Sequence, residues 1–108
     1  MADHIKISPA LGRYRVSLGK TVLGETDKAL HLVEGAGRPV IYVPRDDMQM
    51  ALFTPTDRHT SCPWKGLASY FSVGDQANVV WSYETPKAGS EAIALHLAFY
   101  PQITVERI

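Results

Sequence analysis

Short apolar runs at close spacing, each closed by glycine, proline or another turn former, are what most restricts how this chain can fold. The clearest begins at Arg13, where Tyr14, Val16 and Leu18 alternate with Arg13, Arg15 and Ser17 before Gly19-Lys20 and a second run from Thr21 to Leu23. A period of two puts the two sets on opposite faces of an extended chain, so this stretch predicts a β-hairpin, with Gly24 at its end. Ala29 to Val33 reads as a strand or a single helical turn, closed by the breaker cluster Glu34 to Pro39, "EGAGRP". "PVIYVP" follows, a β-branched and aromatic run bounded by Pro39 and Pro44 that predicts a short buried strand.

Further on, "RDDM" reads as a turn, Gln49 to Thr54 as a strand, and Pro55 to Thr60, "PTDRHT", as a loop rich in turn formers. Two more strands are predicted at Leu67 to Val73 and Asn78 to Tyr83, joined by Gly74-Asp75. In "PKAGSEAIALHLAFYP", Ser90 offers an N-cap, Glu91 sits in the first turn, and Ile93, Ala94 and Leu97 fall at helical spacing. One short helix is therefore expected from Ser90 to Leu97, ahead of a last strand containing Ile103 and Val105. The fold class that results is mainly β, a sandwich or barrel-like sheet with one short helix near the C-terminus. With 108 residues, 45% of them hydrophobic, the chain matches one domain, residues 1–108, able to build a core without metal or disulfide staples.

Charge and cysteine usage narrow the function. Eleven basic residues balance 11 acidic ones with no basic run, so there is no field to draw in a polyanion, and nucleic acid is excluded as the main partner. No apolar segment approaches the roughly 20 residues that cross a bilayer as a helix, so no membrane partner is expected. Cys62 is the single cysteine, and "MADHIKISPA" lacks the basic start and apolar stretch of a leader, which points to a reducing cytoplasm. No metal is expected either, because one cysteine and the scattered His4, His31, His59 and His96 lack the spacing of a zinc site.

The stretch richest in reactive groups is "HTSCPWKG", His59 to Gly66. A thiol at Cys62 near His59 and Lys65 has the partners that lower a cysteine pKa and make a nucleophile; the competing reading is a small buried apolar side chain. Lys65, between Trp64 and Gly66, can be desolvated and present its ammonium to a phosphate or an electrophile, or be a plain surface lysine. Pro63 and Gly66 would fix the turn and Trp64 would anchor it. Trp64 and Trp81, with Tyr70 and Tyr83, are candidates to line a pocket for a planar ligand, or to fill the core. Asp46 and Asp47 invite a magnesium reading but need a turn to converge, a plain Asx-type turn being the alternative; Asp57 stands beside His59 as a group able to tune it.

The blocks "YVPRDDMQMALFTPTDRHTSCPWKGLASYFSV", "WSYETP" and "HLAFYP", extended backward through "YRVSLGKTVLGETDKALHLVEG", resemble the bacterial family catalogued as domain of unknown function 427, sometimes labelled nucleotidyltransferase-like. Cys62-Pro63-Trp64-Lys65-Gly66 is the most specific part of that resemblance. It implies a mainly-β fold similar to the β-tent architecture, whose better-known relatives hold zinc on two cysteine pairs; with Cys62 alone, that zinc site does not carry over. Nucleotidyl transfer needs phosphate positioning and usually carboxylate-held magnesium, and this chain supplies no spaced carboxylate pair. Three readings follow: a small enzyme, a binding module for a small anionic ligand such as a nucleotide, and a non-catalytic structural domain forming homo-oligomers. The first two require a pocket around His59 to Gly66, with Lys65, Cys62 and His59 as catalytic candidates and Glu34, Asp47, Trp64, Lys65, Trp81 and Tyr83 as ligand-binding ones. No cofactor is named by the sequence.

Overall fold

Alternation of apolar and polar side chains is carried into extended strands along most of the chain. The computed structural model describes residues 4–108; Met1 to Asp3, the first residues of the stretch read as lacking a leader, lie outside that range. The strands are β1 (Ile5–Pro9), β2 (Tyr14–Leu18), β3 (Thr21–Thr26), β4 (Leu30–Glu34), β5 (Val40–Pro44), β6 (Phe53–Cys62), β7 (Gly66–Val73), β8 (Gln76–Tyr83), β9 (His96–Phe99) and β10 (Thr104–Arg107). They form a seven-stranded sheet in the order β1-β4-β5-β9-β8-β7-β6 and a three-stranded sheet in the order β10-β2-β3, antiparallel throughout their ladders.

Neighbouring residues on the central strands divide between the two faces of the larger sheet. Val43, Phe71, Val80 and Leu97 pack with Val16 and Leu23 of the smaller sheet, while Tyr42, Tyr70, Trp81 and Ala98, one residue away on the same four strands, pack with Ile5, Leu32, Ala68, Tyr83 and Ile93. The first face is roofed by the three-stranded sheet. The second is covered by the large sheet itself, because Ile5 and Leu32 from its β1–β4 edge share a cluster with Ala68 and Tyr70 of β7. In a flat sheet, the four interstrand steps from β4 to β7 would separate them by about 19 Å. The sheet is thus folded over, yet the edge strands β1 and β6 are not hydrogen-bonded to each other, so no barrel closes.

Four local expectations are corrected. The predicted helix from Ser90 to Leu97 is only a 3-10 turn, Glu91–Ile93, followed by β9, and the Ser90 hydroxyl makes no capping bond. Its helical spacing was a coincidence of burial: Ile93 and Leu97 are both fully buried, but Ile93 packs in the tyrosine-rich cluster and Leu97 on the opposite face. Pro55 to Thr60 lies inside β6 rather than in a loop. An edge strand tolerates proline and turn formers because half its ladder is unpaired, and the β6–β7 register shifts between Pro55 and His59 with the Arg58 amide donating to Thr56 Oγ1 at 3.3 Å. The middle of Gln49 to Thr54 is a second 3-10 turn, Met50–Leu52, with β6 starting at Phe53. Gly24 does not end the hairpin, since β3 continues through it to Thr26 beyond a register shift at Val16/Ser17.

Candidate functional site

Pro63 to Lys65 make the turn between β6 and β7, closed by the pairing of Cys62 with Gly66, whose φ of 111° suits glycine and strains any other residue. The turn is pinned from outside: Lys87 Nζ donates to the Pro63 carbonyl at 3.1 Å and the Lys87 amide to the Lys65 carbonyl at 3.0 Å. This aims Lys65 across the fold of the sheet. Its Nζ lies 3.1 Å from Glu34 Oε1 at the end of β4 and 5.8 Å from the centre of the Tyr83 ring, and only 14% of the side chain is exposed. Glu34 Oε2 faces His4 Nε2 at 3.6 Å, and the His4 ring meets Trp64 edge-on with centroids 4.7 Å apart. Side chains from both margins of the sheet thereby form a clasp where no backbone ladder joins them. Trp64 is 38% exposed, so it covers the clasp and is not the buried anchor its indole suggested.

The Lys65 hydrogen bond holds the Glu34 carboxyl below the usual carboxylate range against an opposing effect of burial, and the charges of Lys65 and His4 add to it. A carboxyl depressed in the folded state contributes stability above its unfolded pKa and loses it as pH falls through the folded one. Melting temperature is therefore expected to fall as pH is lowered below about 4.5. Glu34→Gln should flatten part of that fall; Glu25, held down by Arg15 and Arg13, and Glu84, held down by Arg45 and Ser69 against burial, account for the rest. Thermal melts of both proteins from neutral to acid pH check it, and parallel curves would remove the clasp from the acid dependence.

Beneath the clasp lie three buried tyrosines. Tyr42 accepts the Trp81 indole N–H at 3.2 Å, Tyr70 shares a 2.8 Å hydrogen bond with Thr60 Oγ1 under the Arg58 guanidinium, and Tyr83 carries Lys65 over its ring. Half-buried Cys62 packs against the same cluster. Burial pushes the Tyr42 hydroxyl up to about 12, and that of Tyr83 still further.

Of the residues singled out by sequence, Glu34, Trp64, Lys65, Tyr83 and Cys62 come together here. Trp81 shares the face, but its ring meets Tyr42 edge-on and lies tilted by 57° against Tyr100 with centroids 4.9 Å apart; it lines an apolar cavity of 320 Å³ between β5 and the β9–β10 connection. His59 and Asp47 do not join them. On β6, His59 and Ser61 face away from Thr60 and Cys62; the His59 Nδ1 lies 3.2 Å from the Ala68 carbonyl, and its charge acts on Glu84. Asp47 sits in the 3-10 turn Arg45–Asp47, where its Oδ2 accepts a 2.7 Å hydrogen bond from Thr26 Oγ1 of β3. Asp47 fastens that turn to the smaller sheet.

A second polar constellation was missed by sequence reasoning. Arg45, immediately after β5, donates from Nη2 to Ser82 Oγ at 2.8 Å and to Glu84 Oε2 at 2.6 Å, and its guanidinium lies 5.2 Å from the Phe71 ring centre. Ser69 Oγ donates to the other Glu84 oxygen at 3.0 Å, and fully buried Ser82 also donates to the His96 carbonyl. Arg45 Nε is buried without a hydrogen-bond partner among the described residues. The signal available was modest: Ser82 stands between Trp81 and Tyr83 on β8, Ser69 precedes Tyr70-Phe71 on β7, and registry places the two serines directly opposite each other. Beside this network, Pro44, Arg45, Asp46, Ala94, Leu95 and His96 line a cavity of 300 Å³.

A family model described as domain of unknown function (DUF427) matches residues 6–108. No curated protein matches the sequence.

Proposed function

The chain belongs to the family described as domain of unknown function (DUF427), and on that premise we propose that it is a small-ligand-binding domain, taking a nucleotide or another small anionic metabolite at the clasp of Lys65, Glu34, Trp64 and Tyr83. The observation that carries this reading is the placement of Lys65: an ammonium mostly withdrawn from water, fixed by a pinned turn, with a half-exposed carboxylate beside it. An ammonium has three N–H donors; Glu34 takes one and the Tyr83 face lies under another, which leaves a donor for an incoming oxyanion beside the exposed Trp64 ring. A cation held in place before binding loses little side-chain freedom when the ligand arrives. The arrangement favours binding over nucleophilic catalysis, because His59 faces away from Cys62 and supplies it with no base. For nucleotidyl transfer, no three of His, Cys, Asp and Glu gather among the described residues. We read the fold as tent-like, one domain over residues 1–108, working in the cytoplasm.

One observation favours the alternative, a structural domain: Lys65 is already charge-paired, so the clasp serves equally to hold two sheet margins together. A thermal-shift titration with AMP, ATP, inorganic phosphate and citrate separates the two. A ligand that binds only the folded state at a hundred times its Kd adds about 2.7 kcal/mol of stability. Lys65→Ala is expected to lose that gain, whereas Glu34→Gln, which leaves the ammonium without its carboxylate, is expected to bind the same anion more tightly. If none of the four raises the melting temperature of the parent while both variants lower it, the clasp is structural.

A further inference from the structure

We propose that Arg58 of β6, with the hydroxyls of Thr60, Tyr70 and Tyr100, forms a second anion site, for a small phosphate monoester with a flat apolar body. The Arg58 side chain is placed by an aromatic ring and not by a carboxylate. Its guanidinium carbon lies 5.1 Å from the centre of the Tyr70 ring, and the guanidinium makes no hydrogen bond or ion pair among the described residues. Arg13, Arg15 and Arg45 are each taken up by a glutamate. A guanidinium resting on an aromatic ring keeps the fork of N–H donors that matches an oxyanion. The site stands apart from the clasp, since about 13 Å of extended chain separates Arg58 from Cys62.

The backbone beneath Arg58 is braced. The β6–β7 register shifts between Pro55 and His59 and the β7–β8 register between Phe71 and Val73, so β7 has an irregular ladder on both sides. The two irregularities are tied together: Thr56 Oγ1 donates to Asn78 Oδ1 at 2.6 Å and accepts from the Arg58 amide at 3.3 Å, while the Asn78 amide, at a φ of 55°, donates to Ser72 Oγ at 3.0 Å. Bulges re-aim side chains beside functional sites, and a backbone fixed before binding lowers the entropic cost of the ligand's arrival. Beside the guanidinium the three hydroxyls form a chain. Thr60 Oγ1 and the Tyr70 hydroxyl share their 2.8 Å bond, and the Tyr100 hydroxyl is held above the ordinary tyrosine range first by a hydrogen bond with Tyr70 and then by burial, with the Arg58 charge opposing both. Three hydroxyls joined by two bonds leave one O–H over. A phosphate monoester has three terminal oxygens, two for the guanidinium fork and a third for the spare hydroxyl; a carboxylate has only two. Tyr100 also supplies a surface for the rest of the molecule. Its ring is 39% exposed and backed by Trp81, and its backbone is held by its amide donating to the Val79 carbonyl at 2.9 Å and its carbonyl accepting from the Ile103 amide at 3.0 Å.

The test is an amide-resolved NMR titration of the intact protein with phenyl phosphate, inorganic phosphate and benzoate. Phenyl phosphate is expected to shift the Arg58, Thr60 and Tyr100 signals saturably, with inorganic phosphate and benzoate roughly tenfold weaker or more. Arg58→Gln, at an exposed side chain, should weaken phenyl phosphate by roughly tenfold or more, the loss of a hydrogen bond to a charged group. Tyr100→Ala should bring phenyl phosphate down to the level of inorganic phosphate. Lys65→Ala should leave these shifts intact, which separates failure here from failure of the clasp as a site. Benzoate or inorganic phosphate binding as tightly as phenyl phosphate, undiminished binding by Arg58→Gln, a phenyl advantage that survives Tyr100→Ala, shifts that vanish in Lys65→Ala, or no saturable shift with any probe would each overturn the proposal.

Discussion

Raising the pH through 10 toward 12 is expected to unfold the protein cooperatively, with the last part of the tyrosinate absorbance rise coinciding with loss of far-ultraviolet circular dichroism. Tyr42 and Tyr83 are the cause. Desolvation is the main reason both hydroxyls resist ionisation, and for Tyr83 the neighbouring Tyr42, Cys62, Tyr70 and Glu34 add to it. In the unfolded chain both would ionise near 10, so above that pH the unfolded state binds fewer protons and gains on the folded one. A group raised in the folded state gives stability that is whole below its unfolded pKa and is lost as pH climbs through the folded one. For Tyr42, the rise from 10 to about 12 corresponds to on the order of 3 kcal/mol, a large part of what holds a small domain together. Tyr42→Phe should remove its share of the alkaline slope, at a cost near 1 kcal/mol at neutral pH because the Trp81 indole N–H loses its acceptor. Complete tyrosinate formation in protein that still shows native circular dichroism would refute the assignment.

Those tyrosines also mark how far the sequence could be read. Val40 to Val43, Leu67 to Val73 and Asn78 to Tyr83 were legible as strands because their β-branched and aromatic runs end at prolines and glycines, and the first hairpin because its period is two. The fold of the large sheet over its own face was not legible, since it depends on which strands are neighbours: β9 enters between β5 and β8, and no local pattern encodes that. The false helix from Ser90 to Leu97 has the same origin. A four-residue spacing looks helical in one dimension, yet Ile93 and Leu97 serve opposite faces of one sheet. The site divides similarly. Lys65, Trp64 and Cys62 were found because reactive groups are dense there, and Glu34 and Tyr83 do meet Lys65. His59 belongs to the same eight residues but alternates onto the other face, and Arg45 drew no notice because its partners Ser82 and Glu84 lie nearly forty residues away.

Gly24→Val is expected to destabilise the protein by roughly 3 kcal/mol, the upper end of ordinary overpacking, and to lower its melting temperature by roughly 10–20 °C. Gly24 lies in β3 and forms an isolated bridge with Met48, so the smaller sheet is fastened here to the segment that leaves β5. A Cβ on Gly24 would fall 2.5 Å from the Asp47 carbonyl oxygen, 2.7 Å from Met48 Cε and 2.8 Å from Met48 Sδ. Neither neighbour can yield easily. Met48 is buried in the core, and the Asp47 backbone is held by its side chain on Thr26 and by the Gln49 amide donating to the Leu23 carbonyl at 2.8 Å. The two branches of valine would therefore push β3 away from the 3-10 turn Arg45–Asp47 and open the face that Val16 and Leu23 cover. Gly35→Ala is the matched control: its φ of 58° favours glycine, but nothing lies within 4 Å of an added Cβ, so its cost should stay near 1 kcal/mol. Denaturant unfolding of the two variants measures the difference. A Gly24→Val protein no less stable than Gly35→Ala would mean that β3 and the turn separate freely, and that Gly24 is there for the bend of the strand and not for the close approach of Met48.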